Sequence, residues 1–198
     1  MKYQSIKTLD FYINKYKRCV VLGNGTSVTS YVKQEDDFTI GVNDICKFMT
    51  PNILLIVDTR KQFKSEERAQ EIENTDCIHF VRDEEWNFKK GKSYMFKLGC
   101  KGQFVNFDNK EVIDTGYDSP YMACILAAKL RFKEIAIIGV DYTDNHFYAQ
   151  DGPHNLMRHF DLVDSYYKKL YDFLSSKGIK FVNLSKESKL TSVPKISD

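Results

Sequence analysis

Short apolar runs separated by longer mixed stretches recur along the chain, the rhythm of strands alternating with helices in a parallel sheet. The first run, Arg18-Cys-Val-Val-Leu-Gly23, is apolar without alternation, as a strand covered on both faces requires. A tight turn, Gly23-Asn-Gly-Thr-Ser27, follows, with Thr26 or Ser27 placed to cap a helix beyond it. Asp37-Phe-Thr-Ile-Gly-Val-Asn43 and Ile53-Leu-Leu-Ile-Val-Asp58 read as the second and third strands. The segment 61–113 is charged, aromatic and poorly periodic. It predicts a helix over 65–73 and a strand over 77–81, and nothing definite afterwards. Beyond it the pattern sharpens into a helix rich in Ala, Met and Leu over 119–130 and a strand over 134–141. A helix over 160–176, ended by Gly178 at its C′ position, precedes a last strand over 179–184 and a polar tail. The expected fold class is α/β: one Rossmann-like domain over 1–198, its mostly parallel sheet carrying helices on both faces, with a lid or insert at about 142–158.

Four of these strands end in a polar residue at the carboxyl edge: Asn43, Asp58, Asp141 and Asn183. One such residue alone reads as a helix cap or a strand end meeting solvent. Four at the edge where open parallel sheets bind ligands point to a site.

Composition narrows the class. A chain of 198 residues buries a core without staples. Its 42% apolar and 28% charged residues exclude a disordered chain. The net charge of +2, with acids and bases mixed, lacks the electrostatic footprint of a nucleic-acid binder. Five cysteines, odd in number and without a CxxC pair, read as reduced small hydrophobes. The N-terminus has no signal-peptide core, and no stretch reaches the roughly 18–20 apolar residues of a membrane span. The expectation is a cytoplasmic protein with at most peripheral membrane contact, and a homo-oligomer is compatible with it.

Gly23-Asn24-Gly25 stands where a glycine lets backbone approach a ligand and a helix N-terminus attracts anions. Val28 occupies the third glycine position of the dinucleotide fingerprint, so a nicotinamide site is not indicated. The plainer reading is a turn that needs glycine for positive φ. Asn43-Asp44, about twenty residues on, falls where a ribose-binding group belongs.

Three of the four histidines, His146, His154 and His159, lie in one short stretch after Asp141. A histidine is the usual general base for deprotonating a hydroxyl. Zinc ligation is the competing reading, but His154 and His159, five apart, point roughly 140° apart on a helix of 3.6-residue period. Surface-loop histidines are the plain one. Tyr142, Tyr148 and Arg158 flank the stretch and suit a departing phosphate. Tyr166, Tyr167 and Tyr171 have the spacing of packing residues, and the polar segment 183–190 either closes over a nucleotide or is simply a tail.

Val20-Val-Leu-Gly-Asn-Gly-Thr-Ser-Val28 resembles the first-strand motif of bacterial CMP-sialic-acid-dependent sialyltransferases of the glycosyltransferase family 42 type. Gly41-Val-Asn-Asp44 resembles their second-strand segment. The stretch from Ser119 to Tyr142 is similar to their serine-containing turn, alanine-rich helix and following strand. The resemblance covers well over half the chain and fails over 61–113. It departs from the family at Thr143, which stands for a phosphate-contacting tyrosine, and in a shorter lid loop. The same skeleton also resembles that of 6-hydroxymethylpterin pyrophosphokinase-like proteins.

By that resemblance, Asn24, Asn43 and Ser119 line a CMP-sugar pocket, Asp141 stands at the nucleotide-binding strand end and Tyr148 contacts phosphate. Gly23, Gly25, Asp58 and Tyr142 join them as substrate-binding candidates from the turn, the strand ends and the flanking loop. The general base falls on His159, favoured by spacing, or on His154, favoured by the Asp-Gly-Pro turn before it. The implied reaction is direct displacement at an anomeric carbon in surface glycan (lipopolysaccharide) synthesis. Its partners are a nucleotide-sugar donor and a glycan acceptor, with no cofactor, no metal ligands and no nucleic acid. Two other readings stay open. A pyrophosphokinase would hold Mg²⁺ with Asp58, Asp118 and Asp141, and a non-catalytic nucleotide-binding protein would not need the histidines.

Overall fold

The computed structural model describes residues 15–82, 85–148 and 155–196. Its strands are β1 (Arg18–Leu22), β2 (Asp37–Val42), β3 (Ile53–Ile56), β4 (Ile78–Val81), β5 (Lys92–Met95), β6 (Lys97–Lys101), β7 (Val112–Thr115), β8 (Glu134–Ile138) and β9 (Lys180–Asn183). Its α-helices are α1 (Glu66–Asn74), α2 (Ser119–Lys129) and α3 (Phe160–Ser176). Seven strands form one sheet in the order β5-β4-β3-β2-β1-β8-β9. Every neighbouring pair is parallel. This is the expected Rossmann-like α/β fold. The strands 97–101 and 112–115 make a separate parallel pair.

The apolar runs of β1, β3 and β8 follow from burial on both faces, while β2 gives Phe38, Ile40 and Val42 to one core and sets Thr39 and Gly41 between them. Cys19 and Val21 face one core, where α2 and α3 pack, while Val20 and Leu22 face the other, with Ala69 and Ile72 of α1. Helix α2 is buried from Tyr121 to Lys129, which is why its sequence is apolar all round. Helix α3 buries Val163, Tyr167, Leu170 and Leu174, a one-sided stripe that leaves Asp161, Lys168 and Lys169 exposed. Each such leucine contributes about 1.5–3 kcal/mol by leaving water. Gly178, in the left-handed region at φ +67, ends α3 as expected, and the Ile179 N–H reaches back to the Leu174 carbonyl at 3.0 Å.

Three expectations change. The chain after β1 does not enter an α-helix: Thr26–Ser30 is a single 3₁₀ turn, and neither Thr26 nor Ser27 caps it. The Ser27 side chain is instead drawn to Asp141, at 2.6 Å. The segment after β4, unassigned from sequence, supplies β5, β6 and β7. The tail is not a loose polar appendage, because Leu190 and Val193 are buried and Lys195 pairs with Asn183 beside β9. Among the described residues, no helix is long and apolar enough to cross a membrane.

Candidate functional site

The chain runs from β1 through β5 to one side of the sheet, then returns to β8 and β9 on the other side of β1. The order therefore reverses between β1 and β8, and the crevice at their carboxyl ends is where open α/β sheets take ligands. A cavity of about 230 Å³ opens there. Its wall includes Asn24 and Gly25 after β1, Asn43 after β2, and Asp118 and Ser119 at the start of α2. Gly139 to Thr143, Asn145 and His146 after β8 also line it, with Val42, Tyr117, Pro120 and Leu156.

Glycine is required here because two strand ends meet backbone to backbone. A Cβ on Gly23 would lie 2.2 Å from the Gly139 carbonyl oxygen, and one on Gly25 would lie 2.4 Å from Asp141 Oδ2. The positive φ expected at this turn belongs to Gly139 (φ +71), while Gly25 is extended at φ −67. The Gly25 N–H donates to the Gly139 carbonyl at 2.7 Å, carrying the β1–β8 pairing into the turn.

Two non-glycine residues of the cavity wall also sit in the left-handed region, Asn43 at φ +48 and Tyr142 at φ +55. Asparagine tolerates this region, whereas for a tyrosine it costs about 1–2 kcal/mol. Tyr142 is held there by burial, by an edge contact with Phe160 at 5.5 Å and by donating its hydroxyl to Asp118. Burial and the Asp118 charge push its pKa well above the ordinary phenol value, so the hydroxyl remains a donor. Such strain clusters where a site must hold a particular shape.

The carboxylates of the wall are already engaged. Asp118 caps α2 by accepting the Tyr121 N–H at 2.7 Å, and also accepts the hydroxyls of Tyr167 at 3.0 Å and Tyr142. Asp141 accepts the Ser27 N–H at 2.9 Å, the Ser27 hydroxyl at 2.6 Å and the Ser185 hydroxyl at 2.7 Å. Next to the cavity, the buried Asp44 is gripped by the Arg68 guanidinium through two nitrogens. Among the described residues, no three His, Cys, Asp or Glu side chains converge as metal ligands do.

What the wall leaves unengaged is neutral. Asn24 Oδ1, Asn43 Oδ1 and Thr143 Oγ1 are buried without a hydrogen-bond partner, and all three residues line the cavity. An orphaned buried oxygen costs roughly 1–3 kcal/mol, and all three belong to residues around one cavity.

Of the residues singled out from sequence, Asn24, Gly25, Asn43, Ser119, Asp141 and Tyr142 meet at this cavity, with Gly23 directly behind Gly139. Asp58 is exposed at the end of β3 and does not line it. Tyr148 turns its hydroxyl towards Asp44 at 3.4 Å and stacks on His146. His159 is exposed at the N-cap of α3, three residues after the cavity-lining Leu156. His154 lies outside the described residues. The sequence reading passed over Tyr117, Asn145 and His146 as wall residues. Asp118 had a usable signal, since Asp-Ser-Pro before an apolar helix is an N-cap with proline in the first turn.

No family model matches the sequence, and no curated protein matches it. Solved structures do. The sialyltransferase CstII from Campylobacter jejuni, in complex with the substrate analogue CMP-3FNeuAc, is 13% identical and superposes with a TM-score of 0.55. That match covers 92% of this chain and 86% of that one. The sialyltransferase CST-II in complex with a trisaccharide acceptor and CMP matches over the same shares at 12% identity and a TM-score of 0.55. The monofunctional alpha-2,3-sialyltransferase Cst-I from Campylobacter jejuni is 11% identical, with a TM-score of 0.54 over 100% of this chain and 83% of that one. At these identities the likeness establishes a shared fold.

Proposed function

We propose that this protein is a glycosyltransferase that takes a sugar from a nucleotide-activated donor, CMP-sialic acid or a related CMP-sugar, and passes it to a glycan hydroxyl. The observation that carries the reading is the cavity of about 230 Å³ at the β1–β8 switch point, lined by Asn24, Asn43 and Thr143, whose side-chain oxygens are buried without a partner. Amide and hydroxyl oxygens of this kind suit the hydroxyls and exocyclic amine of a nucleotide sugar. The fold shared with the sialyltransferase CST-II, solved in complex with a trisaccharide acceptor and CMP, supports the same choice.

In the proposed reaction a histidine takes the proton from the acceptor hydroxyl as its oxygen attacks the anomeric carbon. The bond from that carbon to the phosphate breaks, and CMP leaves with the electron pair. His159, one turn from Leu156, is the base in this reading, with His154 as the other candidate. Both precede α3, whose buried stripe fixes where that end of the helix sits. Magnesium-dependent pyrophosphate transfer is the less favoured reading, because Asp118 and Asp141 each already accept three protein donors. A cytoplasmic location, a role in surface glycan synthesis and any peripheral membrane contact belong to the same proposal.

The test is turnover of CMP-sialic acid with a panel of glycan acceptors. His159→Ala should cut kcat by roughly 10²–10⁴ with donor affinity nearly unchanged, as removal of a general base does. A loss of only a few-fold in both His159→Ala and His154→Ala overturns the assignment of the base.

A further inference from the structure

We infer that Arg68 is a positioning residue of the nucleotide site: through Asp44 it fixes the backbone that presents Asn43 to the cavity. The inference rests on the nucleotide reading of the cavity, though not on the identity of the nucleobase, the sugar or the catalytic histidine.

Asn43 joins the cavity wall from a bent backbone. Val42 ends β2 extended at φ −123, and Asn43 then turns to φ +48 as the chain enters a 3₁₀ turn over Asn43–Lys47. Asn43 Oδ1 has no hydrogen-bond partner, so no such bond within the protein aims that oxygen. Its place follows from the backbone on either side. On one side is β2, paired with β3 up to Val42. On the other is Asp44.

Asp44 is 1% exposed and does not line the cavity. The pair Asn43-Asp44 stands at the strand end where a ribose-binding group belongs, but the structure parts the two, one to the cavity and the other to α1. Arg68 donates from Nε to Asp44 Oδ1 at 2.6 Å and from Nη2 to Asp44 Oδ2. Two parallel bonds from a planar guanidinium set the direction of a carboxylate as well as its distance, and each is about twice as strong as a neutral one. Arg68 is held in turn by α1: its N–H donates to the capping Ser65 side chain at 3.4 Å, and its guanidinium lies 4.7 Å from the centre of the Phe63 ring. A second ion pair, Lys47 to Glu71 at 3.4 Å, ties the same turn to the same helix. Helix α1 contributes no residue to the cavity wall, yet it holds the neighbour of one that does. Asparagine tolerates the left-handed region without requiring it, so releasing Asp44 lets residue 43 relax out of the wall.

The test is calorimetric titration of the whole chain with CMP, UMP, AMP and GMP across a mutant cycle. Removing Arg68 alone strands a buried carboxylate, so the clamp is removed as Arg68→Leu together with Asp44→Asn. That variant should bind CMP about tenfold more weakly, and so should Asn43→Ala. With all three substitutions the affinity should stay within about twofold of Asn43→Ala alone, because the clamp acts through Asn43. Arg68→Lys, which keeps the charge and loses the fork, should fall between wild type and the clamp variant. If the clamp variant fails to fold, Arg68→Lys takes its place in the cycle. A folded clamp variant that binds CMP like wild type overturns the inference and leaves the nucleotide reading standing, and so do losses that multiply to about a hundredfold with all three substitutions. Binding of UMP, AMP or GMP in place of CMP, with the same cycle, keeps the role of Arg68 and overturns the CMP-sugar reading. A wild-type protein that binds none of the four overturns both.

Discussion

Asp141 accepts both the backbone N–H and the hydroxyl of Ser27, at 2.9 and 2.6 Å, from a residue 114 positions earlier in the chain. The Ser185 hydroxyl adds a third bond at 2.7 Å. The β1 turn, the end of β8 and the start of the C-terminal tail therefore meet on one buried carboxylate, which also leaves no room for a side chain at Gly25. Asp141→Asn replaces an acceptor-only group by one that must aim an NH₂ at a donor. It should cost about 2–4 kcal/mol. The check is the urea midpoint, and a variant as stable as wild type would show that the three-way tie contributes little.

The orphaned oxygens predict the opposite behaviour. Asn24 Oδ1 and Thr143 Oγ1 are buried without partners, so their removal takes away a desolvation cost along with the ligand contact. Asn24→Ala and Thr143→Val should leave the melting temperature unchanged or slightly raised and weaken nucleotide binding by about tenfold. A variant that melts early places the side chain in the fold instead. Unchanged affinity in both places the ligand elsewhere.

His79 gives the fold a dependence on pH. It lies fully buried on β4, stacked on Phe88 at 3.9 Å, with Nε2 3.2 Å from the Ile72 carbonyl and Nδ1 unpartnered. Burial pushes its pKa down to about 4, from an ordinary 6.5. Between those values the unfolded chain binds a proton that the folded one refuses, so the contribution is complete above about pH 6.5 and lost as pH falls towards 4. The full loss is roughly 3 kcal/mol. Denaturant unfolding from neutrality to about pH 4.5 should show most of it, and His79→Leu should flatten that slope. Equal slopes would assign the acid sensitivity to other groups.

The sheet and its helices were legible because their residues are buried for one reason at a time. β1, β3 and β8 are apolar on both faces, β2 alternates Phe38, Ile40 and Val42 with Thr39 and Gly41, and α3 repeats its stripe every three or four residues. Strand β6, Lys97-Leu-Gly-Cys-Lys101, carried no such pattern because it is largely exposed, so its pairing with β7 left no trace in hydropathy. The site was legible as a place rather than as a mechanism. Strand-end polarity pointed to Asn43 and Asp141, and the Gly-Asn-Gly turn to Asn24. Whether a polar side chain is spent within the protein or left open depends on partners far away in sequence. Ser27 and Ser185 commit Asp141, Tyr142 and Tyr167 commit Asp118, and nothing commits Asn24 Oδ1. His146, closest of the three loop histidines to the end of β8, gave no sign that its backbone bridges to Gly25.

The central claim, that this cavity takes a CMP-sugar, is tested most directly by titrating CMP into the metal-free protein by calorimetry, with ATP and Mg²⁺ as the comparison. The account predicts saturable binding of CMP without metal, displaced by CMP-sialic acid. Heat with ATP and Mg²⁺ but none with CMP would contradict it and give the cavity to pyrophosphate transfer.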